Sequence, residues 1–198
     1  MTFDLSSIMT LVLETIRNPK AGADAILARR IERGVLWQLL ALVTVLSVLA
    51  AQITVVLLGP GSGELMGGPL LNSPLLATVI QAALLLALVY ATFAIGRAFG
   101  GHGAFDDVLA LVIWLQFILL VIQMIQTFAL MVFPVLGILI ALASIVLFIW
   151  LLVNFVAHVH GFQSLPHVLV GILVSAFAII FLFTLLLAML GIAVPVSQ

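Results

Sequence analysis

The sequence has no cysteine and very few charged residues. The absence of thiols excludes disulfides, thiolate metal sites, iron–sulfur clusters and cysteine nucleophiles. Charged side chains make up only 7% of the chain, against about a quarter in soluble domains, and none follows Asp107. A soluble globular fold needs more polar surface than this. The net charge of −1 also provides no overall positive field for nucleic acid, so we expect no nucleic-acid partner.

Long apolar segments make up most of the remaining sequence. Hydrophobic residues account for 66% of the chain, against about 45–50% in soluble domains, and a helix crosses a bilayer with about 20 apolar residues. We therefore predict an all-α, polytopic membrane helical bundle of about five transmembrane helices. The predicted transmembrane domain is 34–191, followed by a short periplasmic tail, 192–198. The predicted spans are 35–58, 74–96, 108–131, 135–157 and 166–190.

Proline marks the breaks between these spans. Ser73 followed by Pro74 is typical of a helix start, with a capping side chain and proline in the first turn. A continuous helix through the third and fourth spans would be about 75 Å long, far more than a bilayer accommodates. Pro134 lies between these spans and is expected to break the helix. This favours a hairpin there, and five spans rather than four.

Residues 1–33 are predicted to form short amphipathic helices on the cytoplasmic surface of the membrane. The segment 3–17 places apolar side chains mainly on one side and is too short to cross a bilayer. Pro19 begins a second and more charged segment, 19–33. A soluble helical hairpin or a frayed tail is the alternative for this region.

The positive charges are placed asymmetrically around the spans. Five of the six Lys and Arg residues precede the first span, and the sixth, Arg97, follows the second. With five spans all six fall on one side, which the positive-inside rule makes cytoplasmic. Arg29, Arg30 and Arg33 are candidate contacts to anionic lipid headgroups. The alternative is that these arginines only set the topology.

The polar side chains within the spans are uncharged. The candidate intramembrane polar contacts are Gln81, Gln116, Gln123, Gln126 and Asn154. Gln116 and Gln123 are seven residues apart and share a face of the third span. These side chains either form hydrogen bonds between helices or outline a polar track for a small substrate. No ionisable side chain lies at depth, which argues against ion-coupled transport.

The histidines and aspartates near the span ends do not form a catalytic or metal-binding pattern. His158 and His160 are two residues apart and point to different faces of a helix, and no two histidines are three or four residues apart. Asp106 and Asp107 lie at a helix start, where negative charge complements the helix dipole. We therefore expect no metal site, no cofactor, no catalytic residue and no enzymatic activity.

Three segments of the sequence resemble one known family. They are Ile16-Arg17-Asn18-Pro19, then Phe99 to Leu109, and finally Trp150 through His160-Gly161-Phe162 and Ser164. The second segment contains Gly100, Gly101, Asp106 and Asp107 and looks like that family's Gly-rich connection into the third span. Over roughly residues 15–190 the chain resembles the Ypt-interacting-protein (YIP) family of small five-span membrane proteins, in its bacterial branch.

This resemblance implies a cytosolic N-terminus and a C-terminus on the far side, in agreement with the charge distribution. Eukaryotic relatives act in vesicle traffic and bind small GTPases through N-terminal segments, but bacteria lack that machinery, so we expect no small-GTPase partner. The resulting hypothesis is a non-enzymatic, multi-pass protein of the bacterial inner (cytoplasmic) membrane. It would associate with membrane lipids, and with other membrane proteins or with itself. The alternative is a small transporter, channel or lipid-translocating protein for a neutral or amphipathic substrate.

Overall fold

The computed structural model describes residues 5–59 and 73–189, and in these ranges the chain forms seven helices. They are α1 (Leu5–Arg17), α2 (Pro19–Leu27), α3 (Arg33–Leu58), α4 (Pro74–Ala98), α5 (Phe105–Val132), α6 (Pro134–His160) and α7 (Leu165–Met189). Helices α3 to α6 are each long and apolar enough to cross a membrane, and α7 adds a shorter apolar stretch over Leu165–Ile179. The predicted all-α membrane bundle preceded by short helices is confirmed. The predicted tail, 192–198, lies outside the described residues.

Local sequence explains where several helices begin. The side chains of Asn18 and Ser73 cap α2 and α4 by accepting a backbone hydrogen bond, and Pro19 and Pro74 follow them in the first turn. Proline is well suited to this position because its missing N–H would have no partner there. Pro134 begins α6 directly after α5 ends. The chain therefore reverses between α5 and α6, and these two helices pack along each other.

Helix α5 is the centre of the bundle and packs against α2, α3, α4 and α6. Its residues 108–115 are all buried, and so are residues 151–157 of α6. These two stretches lie at the same end of the bundle, since the helices are antiparallel. Elsewhere, large apolar side chains such as Phe128 and Val146 are exposed, as the outer faces of a membrane bundle require.

Helix α1 packs against α2, and α2 packs onto the buried end of α5 and α6. Trp114 donates its indole N–H to the hydroxyl of Thr15 at 3.1 Å, and Thr15 is fully buried. Asp24 lies 2.9 Å from Nε2 of His158. The hairpin of α1 and α2 is therefore part of the folded bundle.

Helix α7 is peripheral and packs mainly against α6. Helix α4 contacts α3, α5 and α6 on the other side. This arrangement leaves space between α4 and α7 along the outside of the bundle.

Candidate functional site

A polar cavity of about 340 Å³ lies between α3, α4 and α5. Its lining residues are Ser47, Val48, Ala51, Thr54, Ala77, Gln81, Gln116, Gln123, Gln126 and Thr127. The structure thus brings together all four glutamines that the sequence marked as polar contacts. Asn154, the fifth, is not among the lining residues. It donates a hydrogen bond to the Trp150 carbonyl on its own helix, at 2.8 Å.

Several cavity residues join α3 to α5 by hydrogen bonds. Gln116 donates to the hydroxyl of Ser47 at 3.1 Å, and Gln123 donates to the Ser47 carbonyl at 3.4 Å. The hydroxyls of Thr54 and Thr127 lie 2.6 Å apart, which is a hydrogen bond between the same two helices. The cavity wall is therefore held in place by polar contacts within the bundle.

The cavity occupies the half of the bundle remote from α1 and α2. Along α5 its lining runs from Gln116 to Thr127, a rise of about 17 Å. Helix α4 contributes Ala77 and Gln81 from its first two turns. The opposite half of α5, residues 108–115, is fully buried. The packed core therefore separates the cavity from the end of the bundle that carries α1 and α2.

A second and larger space is the apolar groove between α4 and α7, which measures about 700 Å³ and has α6 as its floor. Its walls are almost entirely apolar, with Leu88 and Ile95 on α4, Leu152 on α6 and Ile172 on α7 among them. No feature of the sequence predicted this groove. All faces of α4 and α7 are similarly apolar. Hydropathy therefore does not indicate which face of each helix is left without a neighbouring helix.

One end of the apolar groove is polar. Gln163, Ser164 and His167 line it there, in the connection before α7 and in the first turn of α7. The Ser164 hydroxyl and Nδ1 of His167 are 2.6 Å apart. The groove is therefore amphipathic along its length, with hydrogen-bonding groups at one end and hydrocarbon along the rest.

The Gly-rich connection between α4 and α5 packs around His160, at the end of α6. A Cβ added to Gly96 or Gly101 would come within 2.5 Å of His160 side-chain atoms, and one on Gly103 within 3.0 Å. Gly100 has φ +85°, a conformation that favours glycine. Two of the three family-like segments thus meet at one close-packed junction, where Gly101 allows the close approach and Gly100 allows the turn.

The His160 side chain is fixed in this junction. It is 2% exposed, and its Nδ1 lies 3.1 Å from the Val156 carbonyl oxygen. The ring stacks on Phe162 with centroids 5.6 Å apart. Nε2 makes no hydrogen bond of good geometry with a described residue, although the backbone of Phe93 is close enough to interact with the ring. The junction is a tight structural contact around a buried imidazole.

The charged residues singled out in the sequence separate into two kinds. Arg33 pairs with Asp106 at 2.8 Å, so its charge is already partnered. Arg29 and Arg30 are exposed and make no ion pair with any described residue, which leaves them accessible to a headgroup. Asp107 lies in the first turn of α5. In the described ranges, no group of three or more His, Cys, Asp or Glu residues is arranged to hold a metal ion.

Comparison with protein families gives one clear result. The family model described as the Yip1 domain matches residues 13–188. The polar cavity, the apolar groove and the glycine junction all lie within this range. A search of curated proteins and a search of solved structures each gave no match.

Proposed function

The chain belongs to the Yip1 domain family, and we propose that this integral membrane protein acts without catalysis, by holding a phospholipid in the groove between α4 and α7. The observation that carries the proposal is the groove itself. It offers about 700 Å³ of apolar space on the outside of a membrane bundle, with a polar end.

Three features favour lipid as the occupant. The rim is open to the bilayer, since Leu84 is 62% exposed and Phe99 is 69% exposed. The long apolar wall suits acyl chains, which gain dispersion contacts when they fill such a space. The polar end formed by Ser164 and His167 suits the ester and headgroup region of the same molecule.

The proposed setting is the bacterial inner membrane with the N-terminus in the cytoplasm, as the distribution of Lys and Arg supports. The polar end of the groove then lies on the cytoplasmic side, together with Arg29 and Arg30. These arginines would attract anionic headgroups at about 1 kcal/mol each. We propose no small-GTPase partner, since α1 packs against α2, and α2 packs against α5 and α6.

The test is to fill the groove with a side chain. Gly171 lines the groove, and a Cβ placed there meets no atom within 4 Å, so the side chain of Gly171→Phe has room to enter the groove. The matched control is Ala143→Phe, on the exposed face of α6. Each protein is purified from native membranes in mild detergent and analysed by native mass spectrometry.

We expect phospholipid to remain bound to the wild type and to Ala143→Phe, and to be largely lost from Gly171→Phe. A wild-type monomer without lipid, or equal retention in all three proteins, would count against the proposal. If Gly171→Phe instead loses a bound second protein or a second copy of this chain, the occupant of the groove is a protein and not a lipid.

The polar cavity favours a second candidate function, the transport of a neutral or amphipathic molecule. Its four glutamines converge on one space. Glutamines that only made single hydrogen bonds between helices would not need to share a cavity. The buried stretch 108–115 argues against a continuous path in this conformation. Liposome flux and lipid-scrambling assays test this transport function. The wild type should be active and Gln123→Leu less active, and an inactive wild type would reject transport.

A further inference from the structure

The polar cavity between α3, α4 and α5 supports an inference that does not depend on the lipid groove. We propose that this cavity is a hydrated binding site for an uncharged molecule that both donates and accepts hydrogen bonds, of which small polyols are the simplest class.

Two glutamine side chains of the cavity indicate a polar occupant. Gln81 and Gln126 line the cavity but make no hydrogen bond with any described residue. Both side chains are half-buried. Neither has a fully buried N or O atom without a partner, since the only such atom in the described ranges is Nε2 of His160. The carboxamides are therefore accessible from the cavity. Bare amides inside a bilayer are strongly unfavourable, so a polar occupant must satisfy them.

The lining of the cavity carries no charge. The lining consists of carboxamides, hydroxyls and small apolar side chains, and none of the lining residues is ionisable. A charged ligand would lose its hydration without meeting a counter-charge. Each carboxamide offers both donors and an acceptor. The complementary ligand therefore carries hydroxyl groups, or similar neutral groups that also donate and accept.

The size and the shape of the cavity fit a small ligand and its water. Its volume of about 340 Å³ corresponds to roughly ten water molecules, enough for a molecule of the size of glycerol together with several waters. The buried stretch of α5, residues 108–115, closes the side toward α1 and α2. A cavity closed on one side is a binding site rather than a pore.

The lack of cysteine in this chain makes a direct test possible. Ala51 lines the cavity, whereas Ala143 lies on the exposed face of α6. Ala51→Cys and Ala143→Cys are prepared in the full chain, placed in phosphatidylcholine vesicles and treated with the neutral reagent 2-hydroxyethyl methanethiosulfonate. Only a thiol in contact with water ionises to the reactive thiolate. We expect Ala51→Cys to react faster than Ala143→Cys, on the order of tenfold. Equal, slow rates would show a dry cavity and overturn the proposal.

The second part of the test identifies the ligand class. Glycerol should slow the labelling of Ala51→Cys, while a large polyethylene glycol at the same water activity and choline chloride should not. Replacing both Gln81 and Gln126 by Leu should abolish the protection. The control Thr78→Val should retain it, because that hydroxyl bonds the Pro74 carbonyl of its own helix. Absence of protection by glycerol, or equal protection by choline, would reject the assignment to an uncharged polyol. Neither result bears on the lipid groove.

Discussion

Replacing Gly96 by alanine tests the close packing of the glycine junction. The new Cβ would lie 2.5 Å from Cδ2 and Cε1 of His160, whereas carbon atoms pack well at about 3.5–4.0 Å. The ring cannot easily move away, because it is 2% exposed and hydrogen-bonded to the Val156 carbonyl. Overpacking of this kind costs about 1–3 kcal/mol, and alanine returns up to about 1 kcal/mol in a helix. We expect a net loss of about 1 kcal/mol.

The measurement is reversible unfolding of the purified protein in mixed micelles, with Gly171→Ala as the control. A Cβ at Gly171 meets no atom within 4 Å, so this variant should lose no stability. In a His160→Ala background the ring is absent, and Gly96→Ala should then cost nothing further. If Gly96→Ala costs the same in both backgrounds, or no more than Gly171→Ala, the steric explanation of the junction is wrong.

Two further substitutions test hydrogen bonds between elements by the same unfolding assay. Thr15→Val removes the acceptor of the buried Trp114 indole N–H and should lower the free energy of unfolding by about 1–3 kcal/mol. The control Thr10→Val, at an exposed position of the same helix, should change it by less than about 0.5 kcal/mol. Equal effects of the two variants would contradict the docking of α1. Thr54→Val breaks the hydrogen bond to Thr127 and should lower the free energy of unfolding by about 0.6 kcal/mol. A double-mutant cycle of Thr54 and Thr127 that shows no coupling would contradict this bond.

The sequence was sufficient for the helices because the signals that form them are local. A long apolar segment predicts a membrane-spanning helix. The start of α4 is determined by Ser73 with Pro74, and the start of α6 by Pro134. The packing faces were less predictable. A membrane helix such as α4 is apolar on nearly all sides, so its sequence does not show that Gln81 lines the polar cavity while another face borders the groove.

The candidate site depended on contacts between distant residues. Gly101 and His160 belong to separate family-like segments, and only the fold shows that the glycine is there to admit the ring. Asn154 resembles the glutamines in composition, yet it bonds within its own helix and lies outside the cavity lining. Arg33 resembles Arg29 in sequence, but the neighbouring start of α5 supplies it with a carboxylate.

The proposed function requires α7, one wall of the groove, to cross the bilayer together with α3 to α6, so that the chain crosses an odd number of times. Because the chain has no cysteine, a single cysteine can be added at either end and labelled in intact cells with a membrane-impermeant maleimide. We expect the C-terminal cysteine to be labelled from outside, and the N-terminal cysteine only after permeabilisation. Labelling of both ends from the same side would contradict the topology on which the proposed sites depend.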